Sequence, residues 1–254
     1  EFKAMCDEAH KYGIKVIVDV VPNHTTTQVD QVNKNLLDAV GGKENLYHAN
    51  GFKEITKWGD RFECTTGQMG GLPDVNTENK NFQDYFIKYL NDCIACGADG
   101  FRYDTAKHIG LPDDPKDSKA TENNFWPRVI SEITNADKIF NYGEVLQGDN
   151  ERIDEYQKVI GATTASAYGA TIRSSINSGN LLASKMEDLQ IDVDNPTAVT
   201  WVESHDNYCS DSSYKTVDDN EVIRAWQLFV QERAVHHFSM TDLTVRQQTI
   251  CGVQ

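Results

Sequence analysis

Four short apolar segments of this 254-residue chain run directly into acidic, histidine or asparagine residues, and each segment follows a helix-like stretch. The four are residues 14–18 before Asp19, Asn23 and His24, residues 100–103 before Asp104, residues 139–142 before Glu144, and residues 198–202 before Glu203, His205 and Asp206. Strands that alternate with helices in this way are typical of a βα barrel, whose active site lies at the C-terminal ends of its strands. The pattern predicts an α/β fold, a partial (β/α)8 TIM barrel, with a functional site where these polar residues meet.

The segment from Gly100 to His108 shows the pattern most clearly. Phe101 and Tyr103 alternate with Arg102 and Asp104, and this period of two predicts a short strand that ends at Asp104. Charged groups inside a fold are costly unless they are paired or used. On spacing alone, an Arg102–Asp104 ion pair that merely closes the strand is as good an interpretation as a catalytic carboxylate.

The composition limits the possible functions. The net charge is −15 and no basic patch is visible, so nucleic acid is not an expected partner, and we interpret the acidity as solubility. No apolar run approaches the roughly 20 residues of a membrane span. Six cysteines lack a second pair with zinc-like spacing, which favours small buried hydrophobic side chains over metal or redox use.

The four strand-end motifs, with Leu72-Pro73-Asp74-Val75-Asn76 as a fifth, resemble in order and spacing the sequence regions of the α-amylase family of glycoside hydrolases. The resemblance covers residues 1–226. It implies a barrel formed by residues 1–24 and 75–226, with a small excursion domain, residues 25–74, after the third strand. Two βα units would precede residue 1, so the lack of a signal peptide says little.

Residues 25–71 show neither helical nor strand periodicity, and Gly, Asn, Thr and Lys dominate the segment. A loop of this length inside a compact domain is usually functional. The resemblance implies that it walls the substrate cleft and helps to hold calcium. The alternative is a disordered insertion, against which the aromatic residues Phe52, Trp58 and Phe62 argue.

The resemblance assigns the chemistry to three carboxyl groups. Asp104 would be the nucleophile that forms a glycosyl-enzyme, Glu144 the proton donor and then the base, and Asp206 the stabiliser of the transition state. Arg102 would keep Asp104 ionised, whereas Glu144 must stay protonated and needs a raised pKa. A carboxyl separation of about 5–5.5 Å between Asp104 and Glu144 would give retention of anomeric configuration.

The resemblance also implies the ligand contacts. His24 and His205 would bind hydroxyl groups of the sugar being cleaved, with Arg102, Lys107 and His108 as further substrate-binding residues. Calcium would take side-chain oxygens of Asn23 and Asp74 and the backbone carbonyl of His108, in a structural role. Chloride-dependent members carry Asn two residues before the last catalytic acid. Ser204 stands there in this chain, so no chloride is expected.

Three aromatic residues remain open between two roles. Tyr208, Trp58 and Trp126 can stack on sugar faces, but packing in the core or in loops is an equally good interpretation of each. After a capping Asn79 or Asn81, a stripe recurs at helical spacing, and we expect it to be core: Phe82, Tyr85, Phe86, Tyr89 and Leu90.

The resulting hypothesis is a retaining endo-hydrolase of α-1,4-glucosidic bonds in starch-like glucans. The alternatives are a glucan transferase or oligosaccharide α-glucosidase of the same family, and an inactive glucan-binding fragment. Because starch cannot cross a membrane, we expect an extracellular protein, and we expect a monomer.

Residues 227–254 do not continue the pattern. They are polar, contain His236 and His237, and show no clean period. Back-translated with permitted codons and read two bases on, the segment can give a string closer to what the family shows here. We hypothesise that this tail is an out-of-frame reading of a truncated gene, so that His236 and His237 carry no function. The coding DNA tests the idea.

Overall fold

The computed structural model describes residues 1–146, 151–167, 170, 197–201, 204–206 and 223, and the backbone of residues 236–238. The chain divides into two units, residues 1–163 and 164–254, and each is described by itself. Among the residues described, no helix is both long and apolar enough to cross a membrane.

The strands are short and parallel. They are β1 Ile17–Val20, β2 Gly100–Tyr103, β3 Phe140–Gly143, β4 Thr163–Thr164, β5 Ala198–Trp201 and β6 His236–Phe238. In the first unit, β1 pairs with β2 and β2 with β3, so that Val20, Tyr103 and Gly143 lie side by side. Gly143 in turn pairs with Thr163. The parallel register brings the strand ends, and therefore Asp104 and Glu144, to one edge of the sheet.

Helices connect these strands. They are α1 Phe2–Lys11, α2 Lys34–Val40, α3 Lys43–Leu46, α4 Arg61–Thr66, α5 Lys80–Ala95, α6 Phe125–Glu132 and α7 Ile153–Ile160, with 3-10 turns at Val29–Gln31, Ala106–His108 and Ala136–Lys138. Parallel strands need such crossovers, and their regular alternation is the architecture of a partial TIM barrel, as predicted.

Helix α5 confirms its predicted start and part of its predicted core face. The Asn79 side chain accepts hydrogen bonds from the backbone N–H groups of Asn81 and Phe82 and so caps the helix. Phe82, Phe86 and Leu90 are buried, but Tyr85 is half-buried and Tyr89 is 43% exposed, so the two tyrosines are not core residues as predicted. The prediction of buried cysteines is confirmed for Cys6, Cys64 and Cys93, which are free thiols, whereas Cys96 is half-buried and Cys209 and Cys251 lie outside the described residues.

Strand β1 lies further along the chain than the predicted residues 14–18. Ile14 is 58% exposed, because residues 14–16 cross from α1 to the sheet instead of joining it. Asp99 holds this crossing: its carboxylate accepts from the backbone N–H of Val16 at 2.9 Å and pairs with Lys15. Asp19 therefore lies inside the strand and not after it.

The excursion is ordered, so the alternative of a disordered insertion is wrong. Its helices α2, α3 and α4 span four to seven residues, which is too short for a periodic pattern to show. Two of these helices have a side-chain N-cap: Asn33 caps α2 and Asp60 caps α4. Isolated bridges between His24 and Asp74 and between Tyr47 and Val75 close the excursion at its base. The domain boundaries themselves stay a prediction.

In the second unit, β5 pairs in parallel with β6, and the N–H of Ala165 donates to the carbonyl of Val199 at 2.9 Å. This confirms the predicted strand at residues 198–202 over its first four positions. Glu203 and Tyr208 lie outside the described residues, as do residues 227–254 apart from β6. The out-of-frame hypothesis stays a prediction.

Candidate active site

Arg102 lies at the centre of the predicted site, among three carboxylates. Its Nη1 is 2.7 Å from Asp19 Oδ1 and 2.9 Å from Asp104 Oδ1, and its Nη2 is 2.8 Å from Glu144 Oε1. Burial opposes the charge of Arg102, but Glu144, Asp19 and Asp104 outweigh it and raise the pKa of the guanidinium. One fixed cation thus holds the two predicted catalytic carboxyl groups, Asp104 and Glu144, at neighbouring strand ends.

The backbone beside the predicted nucleophile also contacts Glu144. Thr105 donates its N–H to Glu144 Oε2 at 2.9 Å. Thr105 has a φ of 47°, a left-handed conformation that is strained for a β-branched residue and is often found at functional sites. In this conformation the Thr105 N–H points at the carboxyl group of Glu144. Both oxygens of the buried Glu144 therefore accept a donor, one from Arg102 and one from Thr105.

His24 and the 3-10 turn Ala106–His108 contribute the other predicted contacts of the first unit. Burial lowers the pKa of His24, and the charge of Asp104 acts in the opposite direction, so the imidazole lies near that carboxylate. His108 is buried, and its Nδ1 is 2.9 Å from the carbonyl oxygen of Cys64. Burial lowers the pKa of His108 to about 4, helped by the charges of Lys107 and Arg61, so its ring is neutral near pH 7.

A second arginine, which the sequence did not single out, fixes the main chain behind this turn. Arg61 of α4 binds both oxygens of Asp114, at 3.0 and 2.6 Å, and the hydroxyl of Tyr156 at 2.6 Å. Arg61 also donates to the carbonyl of Lys107 at 3.1 Å, and Tyr156 donates to the same carbonyl at 2.9 Å. The excursion therefore holds the segment that follows β2.

The aromatic candidates separate clearly. Trp126 is fully buried, with its ring centroid 5.4 Å from that of Tyr103, so it is a core residue and does not stack on sugar. Trp58 is 45% exposed, and its ring meets His108 edge to face with centroids 5.8 Å apart. Trp58 thus stays a candidate for sugar stacking.

The predicted calcium ligands Asn23 and Asp74 are buried close together. They are 2% and 1% exposed, and the Asn23 side chain contributes to the pKa of Asp74, which burial raises to about 7. The backbone N–H of Val75 donates to the carbonyl of Asn23 at 2.8 Å. Within the described part of the chain, Asp74 Oδ1 accepts no hydrogen bond, although it is buried.

An orphaned buried carboxylate oxygen beside an amide suits a hard cation such as calcium. The residues present therefore fit the ion that the resemblance implies. Among the described residues, no group of three or more His, Cys, Asp or Glu side chains forms a metal site. The predicted ligand set is of a different kind, because it combines one carboxylate with an amide and a backbone carbonyl.

A buried histidine that the sequence reasoning missed, His48, contacts the other carboxylate oxygen of Asp74, Oδ2. His48 Nδ1 is 2.5 Å from Asp74 Oδ2, and His48 Nε2 is 2.5 Å from Glu78 Oε2. Burial alone would lower the pKa of His48, but these two carboxylates raise it to about 10. No local sequence signal marks this group, since His48 and Asp74 are 26 positions apart.

The remaining predicted site residues belong to the second unit. His205 Nε2 is 3.5 Å from Asp206 Oδ1, and the two side chains are 45% and 53% exposed. Ser204 is half-buried. The roles of His205 and Asp206, and the carboxyl separation between Asp104 and Glu144, stay predictions.

Comparison with known proteins places this geometry in a family. The model of the family described as "Alpha amylase, catalytic domain" matches residues 1–250. An α-amylase of Butyrivibrio fibrisolvens is 47% identical over 92% of this chain, which spans 26% of that protein.

Two solved structures resemble the fold. The α-amylase of Geobacillus thermoleovorans complexed with acarbose is 26% identical, with a TM-score of 0.56 over 80% of this chain and 43% of that one. α-Amylase I of Eisenia fetida has a TM-score of 0.71 at 18% identity, over 93% of this chain and 52% of that one. The chain thus spans between a quarter and about half of these relatives. It belongs to the α-amylase catalytic-domain family.

Proposed function

We propose that this chain hydrolyses internal α-1,4-glucosidic bonds of starch-like glucans with retention of configuration, through a glycosyl-enzyme. The observation that carries the proposal is the position of Arg102, whose two terminal nitrogens bind Asp104 and Glu144 at 2.9 and 2.8 Å. Two carboxyl groups beside one scissile bond are what glycoside hydrolysis needs.

Asp104 acts as the nucleophile in this proposal. It lies directly after β2, its side chain is 19% exposed, and its ion pair with Arg102 orients the carboxylate that attacks the anomeric carbon. The bond from the anomeric carbon to the leaving oxygen breaks as the bond to the Asp104 carboxylate forms. Water then releases the sugar from Asp104 with the original configuration.

Glu144 supplies the proton in the first step and removes one from water in the second. To act as an acid it must carry a proton on one oxygen, and both oxygens now accept donors, from Arg102 and from the Thr105 N–H. We therefore infer that substrate entry exchanges one of these contacts for the glycosidic oxygen. Asp206 of the second unit is proposed to stabilise the developing positive charge through the sugar hydroxyls.

The other contacts follow the resemblance. His24 and His205 bind hydroxyls of the cleaved sugar, and Lys107 and His108 lie on the leaving-group side. Asn23, Asp74 and the His108 carbonyl would hold calcium, which would pin the excursion to the barrel. Chloride is not required, because Ser204 replaces the asparagine of chloride-dependent members. We propose that the protein is secreted and monomeric.

The substrate class is supported by the family and by the acarbose complex of the Geobacillus relative. The test is release of reducing sugar from soluble starch by the chain and by its Asp104→Asn variant. Loss of the nucleophile lowers the rate by about 10³-fold or more. A melting curve confirms that the variant is folded.

Three other outcomes contradict the proposal. A chain that binds starch without releasing reducing ends is an inactive glucan-binding fragment. A chain that lengthens or cyclises maltooligosaccharides, as read from the products by chromatography, is a transferase. An enzyme that cuts short maltooligosaccharides but not starch is an α-glucosidase, so the distribution of products decides among these activities.

A further inference from the structure

We propose that His48 and Glu78 form a buried clamp that fixes Asp74 for calcium binding, so that both are positioning residues of the cation site. The inference deepens the proposed function and rests on its calcium site. Neither residue is itself a ligand in this proposal. Their part is to leave one oxygen of Asp74 free and to hold that oxygen in place.

The clamp is a continuous chain of contacts. Thr77 donates its hydroxyl to Glu78 Oε1 at 3.0 Å, and Glu78 Oε2 meets His48 Nε2 at 2.5 Å. His48 Nδ1 then meets Asp74 Oδ2 at 2.5 Å. The side chains of His48, Asp74 and Glu78 are only 2%, 1% and 4% exposed, so water does not compete for these contacts.

Each contact restricts the orientation of the Asp74 side chain. The imidazole faces a carboxylate oxygen at both nitrogens, so both nitrogens donate and the ring orientation is set from two sides. With Oδ2 occupied by His48, Oδ1 is the oxygen left for another partner, and it accepts no hydrogen bond within the described residues.

The free oxygen that the clamp leaves suits a cation. A divalent cation at Asp74 Oδ1, beside the amide of Asn23, would give this buried oxygen the partner that it lacks among the described residues. Partners that orient a metal ligand in this way commonly change metal affinity by about 10–100-fold when they are mutated.

The backbone shows why a clamp is needed at this place. His48 belongs to the excursion, whereas Asp74 and Glu78 lie on the segment that leads from it into α5. The N–H of His48 donates to the carbonyl of Asp74 at 3.3 Å, and Gly51 has no room for a side chain, since a Cβ there would lie 2.6 Å from the same carbonyl. The clamp therefore joins both sides of the base of the excursion next to the calcium site.

Isothermal titration of the 254-residue chain with calcium chloride tests the proposal. We expect His48→Gln to weaken calcium binding by about 10–100-fold and Glu78→Gln by about 10-fold. Glu54→Gln is the matched control, because Glu54 is an exposed carboxylate of the excursion that accepts from Gln68 and Gly70. Its calcium affinity should stay within about twofold of the wild type.

Calcium affinities of His48→Gln and Glu78→Gln equal to that of the wild type overturn the proposal. So does a wild-type chain that shows no calcium binding, as would follow if water fills the site. Should His48→Gln fail to fold by circular dichroism, Glu78→Gln decides, because its amide fills the same space but replaces the charged contact with His48 Nε2 by a weaker neutral one. Starch hydrolysis by the wild type is measured separately. If the wild type is active but His48→Gln and Glu78→Gln bind calcium normally, only the clamp is refuted. If the wild type is inactive but the two variants bind calcium more weakly, only the proposed hydrolase activity is refuted.

Discussion

Two buried arginines of the first unit, Arg61 and Arg102, are similarly enclosed but differ in their surroundings. Arg61 is 8% exposed, and its partners Asp114 and Tyr156 are almost completely buried. Arg102 is 12% exposed, yet the side chain of Asp19 is 51% exposed and that of Asp104 is 19% exposed. The Arg61 cluster is closed, whereas the Arg102 cluster opens to solvent.

The balance of charge differs as well. Asp114 is shared between Arg61 and Arg152, so positive charge fully compensates this carboxylate. Arg102 faces Asp19, Asp104 and Glu144, and when all are ionised the cluster carries two surplus negative charges. A compensated, closed cluster stabilises a fold. An uncompensated, open one is costly unless it acts on something, which is the mark of a functional site.

The largest expected effect tests the closed cluster. Arg61→Met leaves Asp114 buried without its bidentate partner, so the free energy of unfolding should fall by about 3–5 kcal/mol in urea titrations. Arg128→Met is the matched control, because Arg128 pairs with Asp84 and Glu132, which are about half exposed. That change should cost about 1 kcal/mol or less. Equal losses of stability in the two variants would show that the buried Arg61 cluster stabilises the fold no more than an exposed ion pair does.

The open cluster should respond in activity more than in stability. Arg102→Met removes the donor that holds Asp104 and Glu144 together, and we expect starch hydrolysis to fall by about 10²–10³-fold. The loss of stability should be smaller than for Arg61→Met, because water reaches Asp19 and Asp104. A variant that unfolds as easily as Arg61→Met and keeps its activity contradicts the distinction between the clusters.

The sequence predicted the open cluster better than the closed one, for a physical reason. Alternation in β2 and the polar residues at the strand ends are local patterns, and parallel strands must bring Asp104 and Glu144 to the same edge. Arg61 and Asp114 are 53 positions apart, and Arg102 and Asp19 are 83 apart. No periodicity encodes such pairs, because they depend on how the excursion and β1 pack.

The same limit explains the smaller errors. The helices of the excursion depend on single caps such as Asp60, which a search for periodicity does not detect. The start of β1 depends on Asp99, a residue that comes just before a different strand. Trp126 could not be assigned from its type alone, since the same ring serves a core or a sugar platform, and its complete burial decided for the core.

The closed cluster also predicts a pH dependence through His108, which lies beside Lys107 and Arg61. Its pKa is about 4 in the folded protein against an ordinary 6.5. The unfolded chain therefore binds a proton at a higher pH than the folded one, and stability is full above pH 6.5 and falls as the pH drops toward 4. The decrease should be about 3 kcal/mol.

Urea titrations of the wild type and of His108→Gln between pH 7 and pH 4 measure this effect. Other carboxyl groups titrate in both proteins, so the difference between the two isolates His108. The variant should lose less stability than the wild type as the pH falls. Parallel curves would mean that His108 has no lowered pKa in the folded protein, and that the cationic surroundings do not extend to its ring.

The smallest expected effect compares one carboxylate from each cluster. Asp19→Asn keeps an oxygen that accepts from Arg102 and removes one surplus negative charge, so the free energy of unfolding should change by about 0.5 kcal/mol or less. Asp114→Asn weakens three charged hydrogen bonds, from Arg61 and Arg152, in a closed site and should cost about 1.5–3 kcal/mol. Urea titrations at pH 7 compare the two. If Asp19→Asn costs as much as Asp114→Asn, the third carboxylate at Arg102 is structural, and the surplus charge of the open cluster is not evidence for a site that acts on substrate.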